Sequence, residues 1–310
     1  MRAAVVSSTD RPPEVGEFPE PPETGDVGRV LAAGLNPVDR AIAAGSMPLH
    51  VLRPPAVAGF EGIAERADGS RVYFSAPRAP YGSFAERVPL AGAETAPVPA
   101  GLDPVAAAAI GVPGIAAWLA LTKAGALQAG ESVLVLGATG AVGRVAIQAA
   151  RALGASRIVG TARSSAGFDL IERTGASAVS TADPDVLASE LTRVAAGGFD
   201  VVVDTLWGPP LVAALGSVRR GGRIAQVGNA AGVQADVAAP AFRNRRVSIV
   251  GHSNFLASAQ DREVAFGRVA ELAAQGALRV DSDAVPLAEF GAAWQGLADG
   301  GPTGKVVIVP

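Results

Sequence analysis

Residues 137–143 read Gly-Ala-Thr-Gly-Ala-Val-Gly, set between the apolar run Val133–Leu136 and the helix-like stretch Arg144–Leu153. A dinucleotide cradle needs backbone N–H groups at a helix N-terminus aimed at a diphosphate. It also needs glycines where the chain bends sharply and where phosphate approaches closest. Counting back from Gly143 puts Gly140 and Gly143 in the second and third glycine positions of G-x-G-x-x-G, and the first falls on Ala138. Ala138 fits if Gly137 absorbs the bend. The alternative is a plain turn between strand and helix; the preceding strand and the following helix make the cradle the stronger reading. Its contacts would come from Ala138, Thr139, Gly140, Ala141 and Val142.

About twenty residues beyond such a cradle, a carboxylate binds the ribose 2′-hydroxyl of NAD. Here that place reads Gly-Thr-Ala-Arg-Ser-Ser. Arg163, Ser164 and Ser165 offer a guanidinium fork and two hydroxyls, which suit a 2′-phosphate. NADP(H) is therefore expected over NAD(H), against the alternative that Arg163 is a solvated residue at a strand end.

The elements that must position these groups are legible as apolar runs. Strands are expected at 132–137, 157–162, 176–180, 200–206, 223–228 and 247–251, with helical stretches at 144–153, 166–175, 183–196 and 209–221. Strand and helix in alternation specify a parallel sheet covered on both faces, an α/β doubly wound Rossmann domain. The first hundred residues are rich in Pro and Gly with short β-type runs such as Arg2–Ser7, Val27–Ala32 and Arg71–Ser75, so a mostly β domain is expected there. After the sheet come two amphipathic helices (262–278 and 286–300) and a closing strand, Lys-Val-Val-Ile-Val-Pro.

Composition removes several classes of function. The 310-residue chain is long enough for two domains, and 49% of it is apolar, which excludes wholesale disorder. A net charge of −3 without basic runs argues against nucleic acid. No cysteine and only His50 and His252 argue against a metal centre, disulfides and a thiol nucleophile. Gly-His-Ser-Asn-Phe (251–255) is not a nucleophile elbow. The N-terminus lacks the apolar core of a secretion signal, so a cytoplasmic protein is expected. The uncharged stretch Pro104–Thr122 is Ala-, Gly- and Pro-rich, which suits a buried helix rather than a membrane span.

Seven segments, 34–45, 81–90, 107–121, 137–155, 199–208, 221–228 and 303–310, occur in the order found in one family. Together they resemble the zinc-free quinone oxidoreductase branch of the medium-chain dehydrogenase/reductase superfamily, through nearly the whole chain. The resemblance implies a GroES-like catalytic domain (1–113 and 256–310), a Rossmann domain (114–255), NADPH in the cleft, and a homodimer formed by sheet continuation through the strand 247–251. It implies cofactor contacts at Asn36, Val227, Gly228, Asn229, His252, Ser253, Phe255 and Lys305. Asn36 and Asp39 look like the family's Asn-x-x-Asp pair; the alternative for Asp39 is a cap on a helix starting at Arg40. For His252 and Lys305 the alternatives are a polar surface residue and a solvated strand-end lysine. The chain departs from the family at Ala116 (usually Thr), Met47 (often Tyr), Gly167 (often Lys) and in a shortened β segment at 59–74.

The implied chemistry is hydride transfer from NADPH to a quinone or an activated alkene, without metal. Candidate catalytic groups are Asn36, Tyr73 and Tyr81, the latter two being the only phenols; a backbone N–H or water could also serve the developing oxyanion. Packing is the alternative role for each tyrosine. Two competing readings remain: a non-catalytic NADPH-binding sensor, and an enoyl or 2-alkenal reductase.

Overall fold

A computed structural model describes residues 1–22, 25–299 and 304–310. Thr303 of the closing segment and Gly300 of the last expected helix lie outside the described residues. Contacts divide the chain into Met1–Val112 with Ser258–Pro310, and Pro113–Ala257.

The unit Pro113–Ala257 is built on a six-stranded sheet. In spatial order its strands are Ser177–Ser180, Arg157–Ala162, Ser132–Leu136, Phe199–Asp204, Val218–Gln226 and Ser248–Gly251, and all the pairings are parallel. Helices cover both faces, so the central strands have no solvent side: Ser132–Leu136 and Phe199–Asp204 are buried at every residue. Leu134, Val202, Phe199, Leu187 and Leu191 belong to the core on which the helix Pro184–Val194 packs. That helix starts at Asp183, whose carboxylate accepts from the amides of Asp185 and Val186.

Every strand expected in this region is present, but one is longer. The sheet strand begins at Val218, inside the segment expected to be helical through Gly221. The helix Gly208–Ala214 and a 3-10 turn end at Ser217. Val218 then pairs with Phe199, and Arg223 with Val201, with an irregularity between. Gly221 at φ 75° sits in this bulge, which lets the polar run Arg219–Gly222 enter the sheet edge without apolar alternation.

The other unit is mostly β. A three-stranded sheet joins Glu14–Glu17, Arg2–Val6 and Ala56–Val57. A seven-stranded sheet runs Ser282–Pro286, Lys305–Val309, Val27–Gly34, Glu61–Glu65, Arg71–Ser75 and Glu94–Pro97, with Arg87–Pro89 added on Val27–Gly34. The segment 59–74 forms a hairpin of two five-residue strands, Glu61 facing Ser75 and Glu65 facing Arg71. The closing strand pairs antiparallel with the end of Val27–Gly34, Val307 opposite Gly34, which carries Lys305 to the loop holding Asn36. The uncharged stretch is two helices, Pro104–Ala109 and Gly111–Leu119, separated at Ile110, and among the described residues no helix is long and apolar enough to cross a membrane.

Candidate cofactor edge and buried charge cluster

Parallel strands all end at one edge, and the expected cofactor residues of the Pro113–Ala257 unit follow those ends. After Leu136, Gly137 turns the chain at φ 79°, a left-handed value that an alanine adopts only under strain. Ala138 is buried, and its amide donates to Thr161 O at 3.2 Å. Gly140 is the N-cap of the helix Ala141–Ala152 and supplies no side-chain cap. The first helical amides, at Ala141, Val142 and Gly143, have no intrahelical acceptor to reach, so this N-terminus presents donors and a partial positive charge. A Cβ on Gly143 would stand 2.3 Å from Gly137 O and 2.6 Å from Ala138 Cα, so glycine is what allows the helix to start this close to the turn. The residues fit a diphosphate: a close backbone approach, uncapped donors, and no acidic residue in the first turn.

Arg144 steadies the turn from within the helix; its Nε donates to Thr139 O at 2.8 Å and the residue is 8% exposed. Sequence reasoning passed over it because an arginine in an amphipathic helix reads as solvated.

The strand Arg157–Ala162 delivers Arg163 and Ser164 to the same edge. Arg163 is exposed, and no hydrogen bond or ion pair ties it to another described residue. Ser164 caps the helix Ser165–Arg173, accepting from Gly167 N at 3.3 Å, which leaves its hydroxyl hydrogen free to donate. Gly167 is explained by contact: a Cβ there would meet Ala162 Cβ at 2.8 Å and Thr139 Cγ2 at 3.0 Å. The same contact sets the Arg163–Ser164 turn directly beside the cradle.

Further along the edge, Val227 and Gly228 both donate to Asp204 O, at 2.8 and 3.3 Å, and Asn229 is exposed. Asp204 is wholly buried; its Oδ1 accepts from the amides of Leu206 (2.9 Å) and Trp207 (3.0 Å) and so shapes the neighbouring loop. His252 N donates to Gln226 O at 2.8 Å, and the ring Nε2 lies 2.9 Å from Asn254 Oδ1. Partial burial lowers the His252 pKa, against the raising effect of Asn254. Ser253 and Phe255 are half-buried beside it. Ala116 is 6% exposed in its helix.

The β unit holds a cluster that the sequence did not reveal as a group. Asn36 Nδ2 donates to Glu61 Oε1 (2.7 Å) and Gly34 O (3.0 Å), while Asn36 Oδ1 accepts from Lys305 Nζ (2.6 Å). Lys305 Nζ also donates to Leu35 O. Glu61 Oε2 accepts from Tyr73 OH (3.0 Å) and the amide of Val112. Asp39 Oδ2 accepts from Asn36 N (2.7 Å), and its Oδ1 from Phe60 N (2.9 Å). Glycines make room for the carboxylate: a Cβ on Gly111 would fall 2.0 Å from Glu61 Oε2, and one on Gly34 2.9 Å from Glu61 Oε1.

Several expected site residues thus take definite places. Lys305 is 7% exposed, a buried cation rather than a solvated strand-end lysine, and its donors reach Asn36 and Leu35. Asp39 does not cap a helix starting at Arg40: the helix is Pro37–Ala43, and Asp39 reaches back from its first turn to the Asn36 amide. Both amide hydrogens of Asn36 are donated within the unit. Tyr73, 4% exposed, is stacked on Phe266 at 4.2 Å and gives its hydroxyl hydrogen to Glu61. Tyr81 belongs elsewhere, donating to Glu20 O (3.1 Å) and packed edge-on to Phe18. The signal for Glu61 was a lone carboxylate in the apolar, glycine-flanked run Val57–Ala64, a place where a charge needs a partner.

Comparison with known proteins adds to this geometry. A family profile described as zinc-binding dehydrogenase matches residues 141–266. A quinone oxidoreductase of Thermus thermophilus, solved also in complex with NADPH, is 33% identical, covers 100% of both chains and superposes with a TM-score of 0.82. This chain belongs to the zinc-free quinone oxidoreductase branch of the medium-chain dehydrogenase/reductase superfamily. Quinone oxidoreductases of Lama guanicoe and Homo sapiens are each 34% identical, over 68% and 65% of this chain. The chain spans 66% and 63% of the length of those curated relatives. The mostly β unit and the Rossmann unit are the two folds of this family. Although the matched profile is described by zinc, the chain has no cysteine, and no group of three metal-ligating side chains occurs among the described residues.

Two carboxyls and one ammonium share the buried cluster of this family member. Burial pushes the Asp39 pKa up to about 7; the Asn36 amide and Lys305 oppose this, and Glu61 adds to it. Burial likewise raises Glu61 and lowers Lys305. The folded protein therefore keeps a proton on Asp39 that the unfolded chain releases near the ordinary value of 3.8. A raised carboxyl contributes stability that is complete below the unfolded value and is lost as pH rises through about 7. Wild type is expected to lose more stability than Asp39→Asn between about pH 5 and about pH 8. The variant should be weaker at the acid end by ~1–3 kcal/mol, because an amide cannot accept from both backbone donors. Urea unfolding midpoints across that range test this, and equal slopes for the two proteins would refute it.

Proposed function

We propose that this protein is an NADPH-dependent oxidoreductase that passes hydride to a quinone or another carbonyl-activated alkene, with no metal in the step. The observation that carries the reading is the pairing, on one sheet edge, of the uncapped helix start at Ala141–Gly143 with the free guanidinium of Arg163. The relative from Thermus thermophilus solved with NADPH supports the choice of cofactor.

NADPH, when bound, supplies the hydride. The chain supplies the rest. The amides of Ala141, Val142 and Gly143 hold the diphosphate, and Arg163 with the Ser164 hydroxyl holds the 2′-phosphate. The backbone at Val227–Asn229 and His252–Phe255, which follows the ends of the next two strands, orients the nicotinamide end. Asn36 and Lys305 form a fixed polar cluster within the β unit. Both amide hydrogens of Asn36, the hydroxyl hydrogens of Tyr73 and Tyr81 and two of the three ammonium hydrogens of buried Lys305 are already donated, so the proton that completes reduction is assigned to water. Hydride plus one solvent proton turns a quinone into a quinol, and the electron count closes.

The nearest alternatives are reduction of an enoyl or 2-alkenal substrate and NADPH sensing without turnover. NADPH absorbance at about 340 nm is expected to fall when small quinones are added. A saturated carbonyl product with enals, and no quinol with quinones, would move the assignment to an alkenal reductase. Tight NADPH binding with no consumption across both sets would make the protein a sensor.

Cofactor choice has its own test. A charge-assisted phosphate contact of about 1.5–3 kcal/mol is worth roughly ten- to 150-fold in affinity. Arg163→Ala should weaken NADPH by that factor in calorimetry while leaving NADH nearly unchanged. Equal losses for both nucleotides would overturn the 2′-phosphate assignment.

The strand Ser248–Gly251 ends the six-stranded sheet with one side unpaired, and Val250 on it is 41% exposed. A short exposed edge of this kind is a template for strand addition, and we place a homodimer contact there. Light scattering should give twice the chain mass of 30.9 kDa for wild type and a monomer for Gly251→Pro, whose ring removes an N–H that faces the open edge, His252 N beside it being the one that bonds inward to Gln226 O. A monomeric wild type would remove the proposal.

A further inference from the structure

The six-stranded sheet has a second edge, at the amino ends of its strands. A cavity of about 620 Å³ opens there, lined by Ser132, Arg157, Gly197, Asp200, Arg219 and Arg220 among others. Ser132 and Arg157 open their strands, and Asp200 and Arg219 are each second in theirs. At about 3.3 Å per residue, the five residues Ser132–Leu136 put roughly 16 Å between this cavity and the cradle turn. It is a different place from the cofactor edge.

The cavity concentrates positive charge in a chain of net charge −3. Its single carboxylate is fully engaged. Asp200 Oδ2 accepts from Ser132 N (2.9 Å) and Ser132 Oγ (2.7 Å), and Oδ1 pairs with Arg219. Arg157 is fixed in position, with Nη1 on Val194 O (2.9 Å), Nη2 on Ala195 O, and its guanidinium 5.0 Å over the Phe199 ring. Its Nε, however, is buried without a hydrogen-bond partner. Arg220 is exposed, with no acidic partner among the described residues. Gly197 beside them has φ 99°, and a Cβ there would meet nothing within 4 Å, so the wall is backbone open to a ligand.

We propose that this cavity binds a small organic phosphate. One arginine is held in place at the wall, a second is free to close on the anion, and a third already neutralises Asp200. A volume of that order holds a small molecule rather than an isolated ion. A guanidinium fork matches carboxylate and phosphate alike, but the three terminal oxygens and higher charge of a phosphate ester can be shared by two arginines where the two oxygens of a monocarboxylate are taken up by one. The proposal does not rest on NADPH binding, since the two edges share no residue.

Amide shifts in a titration with ribose 5-phosphate, inorganic phosphate or ribose test it. Shifts at Gly197, Gly198 and Arg220 are expected to saturate with the ester, to be weaker with inorganic phosphate and to be absent with ribose. Arg220→Ala should weaken ester binding roughly tenfold, and Arg163→Ala should leave it unchanged. Both positions are exposed, so both variants should fold. Shifts confined to Gly140–Gly143 would assign the phosphate to the cradle alone and overturn the site. Binding at Gly197 that Arg220→Ala leaves untouched, or no shifts at all, would do the same. Loss of NADPH binding with the Gly197 response intact would sink the cofactor reading and spare this one.

Discussion

Parallel pairing is the constraint from which the cofactor site follows. Strands that run the same way must end at the same edge, and each needs a crossover before the next can begin. With Ser132–Leu136 at the centre and its successors placed to either side, the turns after Leu136, Ala162, Gln226 and Gly251 open on one edge. That is why residues more than a hundred positions apart in sequence, from Ala138 to Phe255, come to one edge. The helix start then supplies what side chains do not. Its first amides have no internal acceptors, and Gly143 lets the helix start against Gly137 O and Ala138, where a Cβ would not fit.

How legible this was depends on the range of the interaction. The strands Ser132–Leu136, Arg157–Ala162 and Phe199–Asp204 announce themselves as apolar runs because burial on both faces demands it, and Gly137 could be assigned the bend from local sterics alone. The start at Val218 was hidden, since Arg219–Gly222 enters the sheet through a bulge and shows neither periodicity. The strand Ser282–Pro286 was hidden too, being a polar edge that pairs on one side with Lys305–Val309. Glu61, Lys305 and Asn36 were each visible as residues but not as a group: Lys305 lies 269 positions from Asn36 and Glu61 25 positions from it. No spacing rule reaches that far. Two antiparallel registers on the strand Val27–Gly34 bring them together, Val307 against Gly34 for Lys305 and Ile63 against Ala32 for Glu61.

The cluster is a costly way to hold a fold together. Withdrawing charges from water costs several kcal/mol per ion, a cost met in part by the proton kept on Asp39, and well-packed apolar residues of similar volume are often as stable or more so. Its return is geometric. Lys305 and Glu61 grip opposite ends of the Asn36 amide, so oxygen and nitrogen cannot exchange places without setting ammonium against amide hydrogens and carboxylate against oxygen. Asp39 fixes the same residue by its backbone amide. An amide held at three points has one orientation, which hydrophobic packing alone would not enforce.

The same reasoning separates the two edges of the sheet. At the carboxyl edge the turn 137–143 offers backbone donors, with glycine or alanine at five of its seven positions. At the amino edge the first or second residues of the strands are Ser132, Arg157, Asp200 and Arg219, and each long side chain is pinned by a neighbour: Arg157 by helix-end carbonyls, Arg219 by Asp200, Asp200 by Ser132. A strand end that only needed solvation would not require such mutual fixing, since water satisfies exposed guanidinium groups without it. Fixing them removes rotamer entropy in advance, the cost that otherwise offsets most of a surface ion contact. Pre-organised cations around an open volume are therefore a different physical object from a merely basic surface, and an anion with two or more oxygens gains from them what a solvated face does not offer.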